Sequence, residues 1–177
     1  MTTPGAMSAD EVAQAGLWRD QALAHAVEQA VSADDDATVL ALARSYDRLL
    51  ATVAVRRAGE VVLVPAGNAE RRRRGSFATP PALAAELARR ALPVPVSSVV
   101  DPACGTGALL RAALDRLVGL GVAPAEALPR LYGVDADPVA AQLCAAALVA
   151  HARRIDPGLP GGVAPRVVVG DALLGGS

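Results

Sequence analysis

Apolar residues recur along this chain with two different periods, and where the period changes marks out the elements. An Ala-rich run of high helical propensity covers residues 8–31. Ser8 and Glu11, at the spacing of a capping box, open it, so it predicts a first helix. Asp34, Asp35 and Asp36 offer an N-cap and a favourable charge for the dipole of a second helix. Its apolar stripe runs through Val39, Leu42, Ala43, Tyr46, Leu49, Leu50 and Val53. Two helices joined by a short acidic turn make an antiparallel hairpin, able to pack on the domain that follows or on a partner. Trp18 and Tyr46 read as core or interface residues rather than as platforms for stacking bases.

The pattern then changes. Glu60–Pro65 is a short β-like run suited to a sheet edge. Residues 67–75 form a polar linker carrying Arg71, Arg72, Arg73 and Arg74, read either as solvated linker or as a phosphate-contacting segment. Thr79 is placed to cap a helix with proline at its first position, continued by Leu83, Leu87 and Leu92 until Pro93 stops it. Three short apolar runs follow: one ending at Asp101, a second over residues 131–134 ending at Asp135, and Arg166–Val169 leading into Gly170 and Asp171. The helical pattern after the first has Leu109, Leu110, Ala113, Leu114, Leu117 and Val118 on one face, with Gly119 and Gly121 suited to its end. After the second, Asp137 is a natural N-cap with Pro138 at the first helical position of a helix over residues 139–152. Strand alternating with helix places the chain in the α/β class.

The stretch D-P-A-C-G-T-G, Asp101 to Gly107, is where the chemistry concentrates. Gly105 and Gly107 let the backbone turn tightly and approach a ligand, because neither has a Cβ. The helix that starts there points free N–H groups and a partial positive charge into the crevice where open α/β sheets bind ligands. A dinucleotide fingerprint needs a third glycine at position 110, which is Leu110. Asp101 would also repel a pyrophosphate and suits a ligand with a cationic end. Asp135, at the end of the second strand, faces the same crevice and can accept hydrogen bonds from both hydroxyls of a ribose.

With 177 residues the chain is one domain, or a small domain with an appendage. At 53% hydrophobic and 2% aromatic residues, its core has to be packed from Ala, Val and Leu. The formal net charge of −1 gives no global attraction to nucleic acid, so any such affinity is local. Cys104 and Cys144 do not form a metal-ligand spacing, and Cys144 reads as a small buried hydrophobe. His25 and His151 have no partner acid at usable spacing and read as ordinary surface residues. The first seven residues lack the layout of a signal peptide, and no apolar run is long enough to span a bilayer. The expected compartment is the reducing cytoplasm.

From Phe77 to Leu173 the order of motifs resembles that of the N6-adenine DNA methyltransferases of restriction-modification or phage-defence type. D-P-A-C-G-T-G resembles their cofactor motif, the F-x-T-P-P of Phe77 to Pro81 the segment that closes over the methionine part of the cofactor, G-V-D-A-D-P from Gly133 to Pro138 their second cofactor motif, and G-D-A-L from Gly170 to Leu173 the loop after their third strand. The resemblance implies S-adenosyl-L-methionine as cofactor. Phe77, Thr79 and Pro80 would flank its methionine moiety, while Asp101 and the backbone through Ala103, Cys104, Gly105 and Gly107 would hold its amino and carboxylate ends. Asp135 would bind the ribose, Ala136 would lie against the adenine ring, and Asp171, followed by Ala172, would read the adenine amino group. Arg71 to Arg74 would be the DNA-side contacts. The implied fold is a partial Rossmann-like class I methyltransferase sheet, its first three parallel strands with helices, preceded by the N-terminal α-helical hairpin. The corresponding division is 1–58 for the hairpin, 59–75 for the short strand and Arg-rich linker, and 76–177 for the cofactor-binding half.

The chain departs from the family pattern in lacking the catalytic tetrad and the target-recognition region. Such enzymes follow the third strand with Asn-Pro-Pro-Tyr or a close relative, which accepts hydrogen bonds from the target amino group and stacks on a flipped-out base. No Asn-Pro-Pro occurs in these 177 residues. Because methyl transfer depends on in-line positioning of the attacking amine, a binding half alone is expected to do little chemistry. The expected partners are DNA, through the complete enzyme, and a second polypeptide or further segment covering the otherwise bare edge of the parallel sheet, unless the hairpin covers it. Truncation or a split gene is the favoured origin. Competing readings are a methyltransferase acting on RNA, protein or a small molecule, and an inactive fragment serving as a binding or interaction module.

Overall fold

The computed structural model describes residues 9–50, 52–57, 60–65 and 79–174. Helix α1 spans Ala9–Ser32 and helix α2 spans Asp36–Leu50. Between them Asp34 adopts a left-handed φ of 51°, a conformation aspartate tolerates better than most residues. Asp35 is the cap: its carboxylate accepts the Thr38 N–H at 3.0 Å and the Thr38 hydroxyl at 2.6 Å. Those bonds hold the Asp35 carboxyl below its ordinary pKa. Ser8 and the side chain of Trp18 lie outside the described residues.

The stripe expected to run on to Val53 stops short. Thr52–Arg57 is strand β1, paired antiparallel with β2, Glu60–Pro65, with Thr52 opposite Pro65. The Thr52 hydroxyl donates to the Leu49 carbonyl at 2.7 Å, closing the helix end, and the β-branched side chains of Thr52, Val53 and Val55 favour an extended backbone. Helix α3, Pro81–Ala91, also differs from expectation, because Thr79 does not cap it. Pro80 occupies the N-cap position with ψ 138° and no side-chain cap bond. A residue before proline is driven out of the helical region, so the second proline moves the helix start to Pro81. Its buried face is Ala84 and Ala88, while Leu83 and Leu87 stand half exposed.

The remaining elements are β3 (Val99–Asp101), α4 (Ala108–Gly119), the short α5 (Pro124–Ala127) with a 3-10 turn at Leu128–Arg130, β4 (Leu131–Asp135), α6 (Pro138–Ile155) and β5 (Arg166–Val169). The three strands form one parallel sheet in the order β3-β4-β5. Val99 lies beside Leu131, and Tyr132 beside Arg166. Leu110, Leu114 and Leu117 of α4 pack with Leu128, Leu131, Cys144 and Leu148 in the main core.

A second core lies on the other side of α6. There Val27, Val39, Leu40 and Tyr46 of the helical hairpin pack against Val139, Ala140, Leu143 and Ala147. The hairpin therefore rests on α6, which also packs on the sheet. Small residues on both sides of α6, among them Ala140, Ala141, Ala147, Ala150 and Ala152, let both neighbours approach closely. Arg153 reinforces the contact, its guanidinium 2.9 Å from Asp34 and 3.3 Å from Asp36.

His151 is not without a partner acid, contrary to the sequence expectation. Its Nε2 lies 2.7 Å from Asp115 Oδ1, joining α6 to α4. The two residues are 36 apart in sequence, so no local spacing announces the pair. Among the described residues no helix is long and apolar enough to cross a membrane.

The strand pairings put Val100, Tyr132, Val134, Arg166 and Val168 on one face of the sheet. Val100 is 64% exposed and Val168 57% exposed. The Arg166 guanidinium lies over the Tyr132 ring at 5.2 Å and donates to its hydroxyl at 2.9 Å.

Candidate cofactor site

All three strands of the parallel sheet end on the same side, and the loops that follow them meet there. Past β3 the chain turns through residues 102–107 into α4, with Gly105 at φ 51° and Gly107 at φ 85°. Both values are left-handed and favour glycine. The two glycines differ in their surroundings. A Cβ on Gly107 would lie 2.8 Å from Cys144 Sγ, so this glycine lets the start of α4 sit against α6. A Cβ on Gly105 would meet nothing within 4 Å, so that part of the turn faces open space.

The turn is held to β4 at two points. The Cys104 N–H donates to the Val134 carbonyl at 2.9 Å, and the Gly105 N–H donates to Asp135 Oδ2 at 2.7 Å. Asp135 Oδ1 accepts the Asp137 N–H at 2.9 Å. One backbone donor on each oxygen fixes the plane of the carboxylate. It also leaves about half of the four lone-pair sites of an ionised carboxylate for a ligand. Two acceptor sites on a rigid carboxylate match a ribose diol.

Asp101 accepts the Ala103 N–H at 3.2 Å. Burial pushes its carboxyl above the usual aspartate range, with the Ala103 hydrogen bond opposing and the negative charge of Asp135 adding to the rise. Two half-buried carboxylates at the ends of adjacent strands generate a negative potential, which a cationic ligand group would relieve.

Asp171 stands two residues past the end of β5, and the intervening Gly170 ties the strand end to its neighbour, its N–H donating to the Asp135 carbonyl at 2.9 Å. The Asp171 carboxylate is engaged locally, accepting the Leu173 N–H at 2.9 Å in an Asx turn. The structure thus bonds Gly105 directly to Asp135, and carries Asp101 and Asp171 at the same end of the two adjoining strands. Ala136 and Ala172 are exposed beside them, as is Ala103, and Pro80 is exposed at the start of α3, beside a half-buried Thr79. Phe77 and Arg71 to Arg74 lie outside the described residues.

The backbone amides of the turn are differently disposed. Those of Ala103, Cys104, Gly105 and Gly107 each donate within the protein, the last to the Cys104 carbonyl at 2.8 Å. The first turn of α4 has no side-chain cap. Its leading N–H groups are the donors a helix start presents to an anionic group.

Three contributions to this site were not legible in the sequence. Gly133 is one: a Cβ there would lie 2.9 Å from Cys104 Sγ and 3.2 Å from both Cys104 Cβ and Leu110 Cδ1. Cys104 is the second, its side chain buried on β4 while its backbone shapes the turn. Its thiol hydrogen-bonds with that of Cys144, which together with burial pushes the Cys144 thiol far up and leaves it an inert core group. The third is Tyr46, whose hydroxyl donates to Asp137 Oδ2 from the helical hairpin. Asp137 ahead of Pro138 announced the cap but not this second partner.

Parallel strands with intervening helices, a glycine turn at the end of the first and an acid at the end of the second define a partial Rossmann-like methyltransferase fold. Residues 54–156, more than half of the chain, match the family model described as N-6 DNA Methylase. The chain belongs to that family, whose members methylate DNA and generally use S-adenosylmethionine. No curated protein and no solved structure matches it significantly.

Proposed function

We propose that this chain is the S-adenosylmethionine-binding portion of a DNA adenine-N6 methyltransferase with a restriction-modification or related defence role. The observation that carries the reading is the half-buried Asp135 carboxylate at the end of β4, held by the Gly105 and Asp137 amides beside the glycine turn. Asp135 takes the two ribose hydroxyls. Asp101 takes the ammonium of the methionine end, and the uncapped start of α4 its carboxylate. Ala136 lies against the adenine ring and Asp171 accepts from its amino group, while Phe77, Thr79 and Pro80 close over the methionine. When bound, the cofactor supplies a methyl group on a sulfonium, whose positive charge the two carboxylates favour electrostatically.

A further segment, in the same or another polypeptide, supplies the groups that hold the target base and covers the apolar face bearing Val100 and Val168. A parallel sheet buries both faces, and on this face Val100 and Val168 are each more than half exposed. Arg71 to Arg74 contact DNA phosphates.

Calorimetric titration with S-adenosylmethionine tests the reading. Asp135→Ala removes a charged acceptor and is expected to cost about 1.5–3 kcal/mol, or roughly 10- to 150-fold in Kd. Asp135→Asn, closer in shape, guards against loss of fold and is expected to weaken binding in the same direction. A folded wild-type chain that gives no saturable binding, or variants that bind as tightly as wild type, would overturn the assignment.

A further inference from the structure

We infer that Tyr46, in the N-terminal hairpin, is a positioning residue for the cofactor site, acting on Asp135 through Asp137. The inference rests on the cofactor reading above and assigns the hairpin a part in it. Tyr46 is fully buried on α2, and its hydroxyl donates to Asp137 Oδ2 across 91 residues of sequence. The other oxygen of Asp137, Oδ1, caps α6 by accepting from Val139 N–H at 2.9 Å and Ala140 N–H at 3.3 Å. The Asp137 N–H in turn donates to Asp135 Oδ1, and Asp135 Oδ2 accepts from Gly105. A continuous chain of hydrogen bonds therefore runs from the hairpin to the glycine turn, with the ribose carboxylate in its middle.

Capping a helix requires only one side-chain oxygen, and serine or asparagine does it as well as aspartate. The second oxygen of Asp137 has a separate use here. A phenol donating to a carboxylate makes a charge-assisted bond, which fixes the rotation of that carboxylate. With Asp137 held at both oxygens, its own N–H is aimed at Asp135, and the plane of Asp135 is set before any ligand arrives. If Tyr46 only filled the core, phenylalanine would serve equally.

The test compares wild type, Tyr46→Phe and Asp137→Ser by calorimetric titration with S-adenosylmethionine, adenosine and 3′-deoxyadenosine, at a temperature where thermal melts show each protein folded. Serine retains the cap but offers no second oxygen to Tyr46. Both variants are expected to bind S-adenosylmethionine and adenosine about 3- to 10-fold more weakly. The preference of wild type for adenosine over its 3′-deoxy analogue is expected to shrink by the same factor. A purely structural role would lower the melting temperature and leave that preference intact, and this result would overturn the inference. So would unchanged affinity in both variants. Failure of wild type to bind any of the three ligands would instead remove the cofactor reading itself, so the two failures are distinguishable.

Discussion

Gly133 offers a direct test of how the glycine turn is seated. It lies in β4, beneath the turn, and its missing side chain makes room for Cys104. In Gly133→Ala the added methyl would stand 2.9 Å from Cys104 Sγ and 3.2 Å from Cys104 Cβ and Leu110 Cδ1. Neither neighbour can swing aside: Cys104 is 5% exposed and Leu110 1% exposed, and the Cys104 amide is bonded to Val134. Inserting a methyl group into a packed core typically costs ~1–3 kcal/mol. The strand conformation suits alanine, so reduced freedom of the unfolded chain returns ~0.4–1 kcal/mol. The net expectation is a loss of about 1–2 kcal/mol, or ~2–8 °C in Tm for a chain of this size. Urea denaturation should show a lower midpoint with an unchanged slope. Cys104→Ala removes the nearest obstructing atom. In a double-mutant cycle the two substitutions should compensate by about 1 kcal/mol or more. The reasoning is refuted if Gly133→Ala unfolds with wild type, or if its cost adds to that of Cys104→Ala without coupling.

Gly107→Ala should be harder to rescue. At φ 85° the new residue carries ~1–2 kcal/mol of left-handed strain, and its Cβ would also lie 2.8 Å from Cys144 Sγ. Cys144→Ala removes only the second contribution, so thermal melts of the double variant should recover part of the loss. Acidification should weaken S-adenosylmethionine binding at a pH above the ordinary aspartate range, because burial raises the Asp101 pKa in the free protein. The sign follows from charge: protonated Asp101 presents no negative charge to the ammonium, so Kd rises as pH falls through that raised pKa and is lowest above it. Calorimetry across pH 4 to 8 checks this, and Asp101→Asn should weaken binding at neutral pH and flatten its dependence on the acid side.

Much of the local architecture was legible in the sequence. The third strand falls at Arg166–Val169, Asp137 caps α6 ahead of Pro138, and Leu110, Ala113, Leu114 and Leu117 make the buried face of α4, each as its pattern indicated. These features depend on interactions within about four residues, through backbone preference, capping and periodicity. Their neighbourhood is written out along the chain. Even at this range one rule can defeat another: consecutive prolines displaced the expected Thr79 cap, and β-branched residues turned Val53 from a helical stripe into a strand.

Only the tertiary structure decided which distant groups meet. Tyr46 could be recognised as a core residue, but not as the donor to Asp137. Glycine at 133 acquires its reason only when Cys104 is folded down onto β4, and the acid beside His151 comes from a different helix. That Asp101 feels the charge of Asp135 required β3 and β4 to lie side by side, with Asp101 in register with Gly133. The physical reason is that periodicity states which side of an element is buried, whereas close packing of several elements selects the neighbours. Small residues along α6 let sheet and hairpin both approach it, and that approach carries the buried phenol to the acid behind the site.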